Sequence, residues 1–139
     1  MGGFVPPPAW TEIASQLRQS QQVTLDANGN GVLYFTPSSG NQRWVVSTVT
    51  VQTNQAATAT VVPVATMAMN AHDLATMAAG ALVGASWSGN NDTWTGAQDV
   101  GPCDTLAILF SAPPGASGSS LAGVIANAVV RGTSYTRRA

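Results

Sequence analysis

The feature that most constrains the fold is a run of β-branched residues that alternates with a period of two. The run covers residues 43–53 (RWVVSTVTVQT) and lies between two groups of turn-forming residues. One face would carry Trp44, Val46, Thr48 and Thr50, and the other would carry Val45, Val49 and Val51. Alternation of this kind, with so many β-branched side chains, predicts a β-strand.

Further short segments of the same character precede and follow this strand. Strands are predicted at 22–26, 32–36, 57–66, 81–87, 104–111 and 121–134. The sequence Asn28-Gly29-Asn30-Gly31 predicts a hairpin between the first two, because Asn and Gly tolerate positive φ. Pro63 favours a sheet edge or a bulge for the strand that contains it. Seven or eight strands separated by turn signals predict an all-β, antiparallel β-sandwich of jelly-roll type.

Two segments admit more than one interpretation, and a third is expected to be a loop. Residues 67–79 (MAMNAHDLATMAA) fit either a short helix or a long loop with one strand. Residues 88–101 (SGNNDTWTGAQDVG) are expected to form a long polar loop. Residues 121–130 are compatible with a helix, although Gly123 and the valines favour a strand.

The N-terminal segment differs from the rest of the chain. The sequence predicts an arm at residues 1–21 and a β-sandwich domain at residues 22–139. Three consecutive prolines favour an extended, polyproline-like conformation, and residues 11–19 are expected to form about two helical turns capped by Thr11. We expect the arm to bind a neighbouring subunit through five residues: Phe4, Pro6, Pro7, Pro8 and Trp10.

Composition argues against several classes of function. Charged residues make up 8% of the chain, and the net charge is −1 with five basic residues, so a nucleic-acid-binding surface is not expected. The low-charge stretch at 56–71 is interrupted by proline and rich in threonine, which disfavours a membrane span. The N-terminus lacks the features of a secretory signal, so the protein is expected to be made in the cytoplasm.

Candidate catalytic and metal-binding residues are few. Cys103 and His72 would form a nucleophile pair only if the fold brought them together. Asp92 and Asp99 are two carboxylates in one predicted loop, which is too few for a convincing Ca²⁺ site. The sequence therefore predicts a protein that is not an enzyme, with no catalytic residue, no metal and no cofactor.

Two tryptophans flank the predicted polar loop and give an alternative function. Aromatic faces beside amide and carboxylate groups are typical of carbohydrate-binding modules. The candidate glycan-binding residues are Trp87, Asn90, Asn91, Asp92 and Trp94. The competing interpretation is that the tryptophans anchor the core or an interface, since large aromatic side chains dominate both.

Four segments carry a resemblance to known proteins. They are 23–31 (VTLDANGNG), 35–37 (FTP), 43–51 (RWVVSTVTV) and 87–92 (WSGNND). In this order they resemble small accessory virion proteins of actinobacteriophages, over about residues 22–133. The resemblance is a pattern of turns and alternation, and residues 67–86, which are richer in Ala and Met, depart from it.

The resemblance implies a function and a set of partners. It implies a β-sandwich homo-oligomer, with a trimer favoured, that resides in the virion and binds major capsid or tail subunits. The expected function is therefore a non-enzymatic structural subunit of a tailed bacteriophage. It would be either a decoration protein on the capsid surface or a minor tail protein.

Overall fold

The molecule is built almost entirely from β-strands. The structure, a computed structural model, describes the backbone of residues 11–70, 81–88 and 91–138, and the side chains of these residues except 11, 81–88 and 138. The strands are β1 (Thr11–Thr24), β2 (Gly31–Phe35), β3 (Gln42–Thr53), β4 (Val64–Met69), β5 (Ala81–Ser88), β6 (Asp92–Val100), β7 (Leu106–Ser111) and β8 (Ile125–Arg138). A short 3-10 helix, Gly118–Leu121, precedes β8.

The strands form two four-stranded sheets. Sheet I has the order β1-β8-β3-β6 and sheet II has the order β2-β7-β4-β5, and all neighbouring strands are antiparallel. The first strand pairs with the last, the second with the seventh, the third with the sixth, and the fourth with the fifth. This is the connectivity of one long hairpin wrapped around itself, which defines a jelly roll. The predicted antiparallel β-sandwich of jelly-roll type is confirmed.

The two sheets enclose one principal hydrophobic core. Sheet I contributes the inward side chains of β3 and β8, and sheet II contributes those of β2, β4 and β7. Phe35 and Phe110 are among the largest fully buried side chains. Burying one side chain of this size stabilises the fold by roughly 1.5–3 kcal/mol. A smaller buried cluster of Ala68, Ala107 and Leu109 lies apart from the principal core.

A β-bulge changes which residues of β3 face the core. Opposite β8, Val46 pairs with Gly132 and Thr48 pairs with Arg131, so Ser47 is an extra residue. Trp44 and Val46 are buried before the bulge, and Val49 and Val51 are buried after it. The predicted assignment of these residues to two opposite faces is wrong, because one extra residue inverts the alternation along the rest of the strand.

The turn at 27–30 connects the two sheets instead of closing a hairpin. β1 pairs with β8 and β2 pairs with β7, so the predicted hairpin between the first two strands is wrong. Beyond β1 the chain remains hydrogen-bonded to the residues that directly precede β8. Leu25 N donates to Val124 O at 2.8 Å, and Gly123 N donates to Leu25 O at 3.0 Å. The Leu25 side chain is buried in the core, which fixes where the chain leaves sheet I.

The helix expected at residues 11–19 is also wrong. These residues begin β1, which pairs with β8 without interruption from Thr11 opposite Arg138 to Thr24 opposite Ile125. Pairing with a neighbouring strand overrides the weak helical preference of the Gln, Ala and Leu residues. The predicted boundary between arm and domain, after residue 21, falls inside β1, and residues 1–10 lie outside the described residues.

Other strand boundaries differ from the predicted ones. β4 lies C-terminal to most of the predicted 57–66 strand and contains the first three residues of the ambiguous 67–79 segment. Nine residues of the predicted 88–101 loop form β6, which pairs with β3. The last strand starts at Ile125, after the 3-10 helix, so a helix over 121–130 is excluded.

Candidate functional site

The outer face of sheet I is the candidate functional site. Successive side chains of a strand point to opposite sides, so every second residue of sheet I faces away from the core. The strand registers align these residues in rows across the sheet. The central rows are Gln22–Asn127–Gln52, Ser20–Val129–Thr50–Thr93, Arg18–Arg131–Thr48–Thr95 and Gln16–Thr133–Val45–Asp99.

Neutral polar groups dominate the four central rows of this outer face. Most of the side chains in the four rows are amides or hydroxyls, and none of the fifteen residues is buried. The hydroxyl groups of Thr50 and Thr93 lie 3.2 Å apart and form a hydrogen bond across neighbouring strands. A surface of this kind offers many donors and acceptors without the high desolvation cost of fixed charges.

Two arginines stand directly opposite each other in this neutral surface. Arg18 on β1 pairs in register with Arg131 on β8, and both side chains are exposed. Among the described residues, neither has an acidic group within salt-bridge distance. Like charges at directly opposite positions of a sheet are unfavourable. An acidic group brought by a binding partner would therefore form charge-assisted hydrogen bonds with this pair.

Arg43, at one end of the same face, is engaged within the chain. Its Nε donates to Glu12 Oε2 at 2.9 Å, and its Nη2 donates to Glu12 Oε1 at 3.3 Å. Its guanidinium lies 4.3 Å from the centroid of the Tyr135 ring. The hydrogen bond to Glu12 raises the pKa of Arg43 above its ordinary value. Arg43 is thus held as a fixed, charged part of the surface, whereas Arg18 and Arg131 are available to a partner.

The structure describes the side chains of three of the five candidate glycan-binding residues, Asn91, Asp92 and Trp94. The Trp94 side chain is half-buried, packs against the principal core and lies over Gly96, where an added Cβ would come 2.6 Å from its ring. The Asp92 carboxylate accepts a hydrogen bond from Thr93 N at 2.8 Å. Asn91, with φ of 62°, directly precedes β6. The Trp87 side chain and Asn90 lie outside the described residues.

The arm residues are not described either. Phe4, Pro6, Pro7, Pro8 and Trp10 precede the first described residue. Their expected role in binding a neighbouring subunit remains a prediction.

The two carboxylates considered for Ca²⁺ lie on opposite sides of sheet I. Asp92 pairs with Val51, whose side chain faces the core, whereas Asp99 pairs with Val45, which faces outward. Over residues 11–70 and 91–137 together, no group of three or more His, Cys, Asp or Glu side chains is arranged to hold a metal ion. Cys103 is exposed and free, and His72 lies outside the described residues.

Asp104 is placed for a structural role. Its carboxylate accepts hydrogen bonds from Gly101 N at 2.9 Å and from Asn70 Nδ2 at 3.1 Å. These two bonds, the first more than the second, hold the pKa of Asp104 below its ordinary value of 3.8. They fix the turn between β6 and β7 against the end of β4.

Sequence reasoning missed the arginine pair. Arg18 lay in a predicted helix, and Arg131 lay in a strand whose neighbours were unknown. Only the register between the first and last strands places them opposite each other.

Comparison with known proteins gives little further information. No protein-family model matches the chain, and no curated protein matches its sequence. Among the described residues, no helix is long and apolar enough to cross a membrane. The chain is similar to a solved structure named turnip yellow mosaic virus, with a TM-score of 0.43 and 10% identity, over 92% of this chain and 95% of that chain. A likeness of this size carries no information on function.

Proposed function

We propose that this protein is a non-enzymatic structural subunit of a tailed-bacteriophage virion that acts through protein–protein contacts. It works on the capsid surface as a decoration protein or on the tail as a minor tail protein. The observation that carries the proposal is the outer face of sheet I, whose four central rows are mostly amides and hydroxyls and include two arginines without an acidic partner among the described residues, Arg18 on the edge strand β1 and Arg131 beside it on β8.

This surface has the chemistry of a protein interface. Protein interfaces are enriched in Arg and depleted of other charged residues at their centre. The four rows of the outer face carry one acidic residue, Asp99, at their margin and place Arg18 and Arg131 between hydroxyl-bearing residues. Hydroxyl and amide groups exchange water for protein partners at low net cost when each finds a hydrogen bond.

The kind of assembly comes from the resemblance to accessory virion proteins of actinobacteriophages. The segments that carry that resemblance include the turn before β2, the loop after β2 and most of β3. These segments form part of the jelly roll, and a jelly roll with an exposed, hydroxyl-rich sheet face suits a subunit that is added to a larger particle.

Immunogold electron microscopy on gradient-purified particles of the phage tests the proposal. Label over the head assigns the protein to the capsid surface, and label over the tail assigns it to the tail. Particles from a phage with the gene deleted serve as the control for antibody specificity. Absence of label on every part of the particle would reject the virion role.

A matched pair of variants tests whether the outer face makes the contact. Thr95 lies on the outer face and is exposed, and Thr58 is exposed in the loop before β4. Thr95→Glu adds a negative charge at the face and is expected to reduce incorporation into particles. Thr58→Glu adds the same charge elsewhere and is expected to leave incorporation unchanged. Equal incorporation of both variants would show that another surface binds the particle.

A further inference from the structure

β1 is an unusually open edge strand. One side of its backbone pairs with β8 along all fourteen residues, and in the described part of the chain no strand pairs with the other side. Its described side chains are exposed apart from Leu17 and Val23. Natural edge strands are usually protected by Pro, Lys or a β-bulge. β1 has no Pro or Lys, and its pairing with β8 shows no bulge.

We propose that β1 pairs in antiparallel orientation with β1 of a second copy of this chain, about a two-fold axis through Ser15. The contact would join two copies of sheet I into one eight-stranded sheet. Addition of a strand to an open sheet edge is a common mode of protein recognition, and an isologous contact closes into a dimer. The inference concerns self-association and does not depend on the virion role.

Charge complementarity fixes the register. An axis through Ser15 places Glu12 opposite Arg18 of the second copy, and both residues lie on the outer side of sheet I. Two such pairs form in each dimer, and opposite charges at facing positions stabilise a sheet. The Glu12 carboxylate, which accepts hydrogen bonds from Arg43 of its own copy, would then lie between that guanidinium and Arg18 of the second copy. An axis through Ala14 or Gln16 would instead place Glu12 opposite a neutral residue.

The same register covers exposed apolar surface and leaves the link between β1 and sheet II in place. Ile13, which is 43% exposed, would lie opposite Leu17 of the second copy. The paired segment, residues 11–19, ends before Gln21, whose Nε2 donates to Tyr34 O at 2.7 Å across to sheet II. The proposed contact therefore leaves the link between the two sheets intact.

Disulfide trapping tests the register in the full-length chain with Cys103→Ser as background. An axis through Ser15 places the two Ser15 Cα atoms about 4.5–5.5 Å apart, a distance at which a disulfide forms. Mild oxidation of Ser15→Cys is expected to give a covalent dimer. Ser20→Cys, on the same strand and also exposed, is the matched control, because its two copies would lie about 33 Å apart. Equal cross-linking at the two positions would overturn the register.

Native mass spectrometry of charge variants tests the interface itself. The unmodified chain is expected to be a dimer, and Arg18→Glu is expected to be a folded monomer because Glu would face Glu12. Arg18→Lys, which keeps the positive charge opposite Glu12 of the second copy, is expected to remain a dimer. A monomeric or trimeric unmodified chain, or an Arg18→Glu variant that stays dimeric, would overturn the proposal. Circular dichroism of each variant checks that the fold is retained.

Discussion

The substitution Gly132→Ala is expected to destabilise the fold strongly. Gly132 lies on β8 opposite the bulge of β3. A Cβ added there would lie 2.0 Å from Val45 O, 2.9 Å from Val46 Cα and 3.0 Å from Ser47 N. All three atoms belong to the backbone of β3, so no side-chain rotation relieves the overlap. The two central strands of sheet I must separate locally, or the bulge must rearrange.

The magnitude follows from the cost of overpacking. Forcing extra atoms into a packed site costs typically about 1–3 kcal/mol, and a contact with immobile backbone belongs at the upper end of that range. Restricting the unfolded chain by replacing Gly with Ala returns about 0.4–1 kcal/mol. We therefore expect a loss of about 2–2.5 kcal/mol in the free energy of unfolding, which corresponds to a fall in Tm of roughly 8 °C.

Urea unfolding followed by tryptophan fluorescence measures this loss. Gly40→Ala is the matched control, because a Cβ at Gly40 meets no atom within 4 Å. The control is expected to match the unmodified chain or to be slightly more stable, by up to about 1 kcal/mol. A Gly132→Ala variant within about 0.5 kcal/mol of the unmodified chain would refute the close approach of β8 to the bulge.

Two further predictions test the core and one charged group. Phe110→Ala is expected to lose about 3–5 kcal/mol of unfolding free energy, because Phe110 is fully buried. Tyr34→Ala, at a side chain that is 45% exposed, is expected to lose far less. Urea unfolding compares the two variants. Because the folded pKa of Asp104 is lowered, its ionised form contributes stability at neutral pH that is lost as the pH falls through that pKa. When the pH is lowered from 7 into the acidic range, Asp104→Asn is therefore expected to lose less stability than the unmodified chain. Urea unfolding at each pH measures this difference. An equal loss in both proteins would contradict the role of the carboxylate.

The fold class could be predicted from the sequence because several strands have residue patterns that favour extended structure without reference to their neighbours. β3 was predicted to within one residue of its observed start, since its β-branched residues favour extended structure with or without a neighbour. β2, β5 and β7 were found because each contains a short apolar run of strand length. Their number and spacing were enough to indicate a jelly roll.

The misassigned elements depend on contacts that a local pattern does not contain. β1 and β6 are the two edges of sheet I, and each is rich in polar residues or interrupted by residues typical of turns, such as Gly96. Their extended conformation comes from pairing with β8 and β3. The bulge at Ser47 depends on Gly132, more than eighty residues away, so no window of sequence reveals it.

The candidate site was less predictable than the fold. Its surface arises when four strands from distant parts of the chain are placed side by side, and its arginine pair arises from the register of the first strand with the last. The sequence did indicate the neutral, hydroxyl-rich character of the surface through its 8% charged residues. It could not indicate which face would collect those residues.

Quantitative mass spectrometry of purified phage particles tests the central claim most directly. The amount of this protein is measured against a known structural subunit across the fractions of a density gradient. A virion subunit is expected to follow the particles at a constant ratio to that subunit through repeated purification. Loss of the protein from the particle fractions, with recovery in the soluble lysate, would contradict a structural role in the virion.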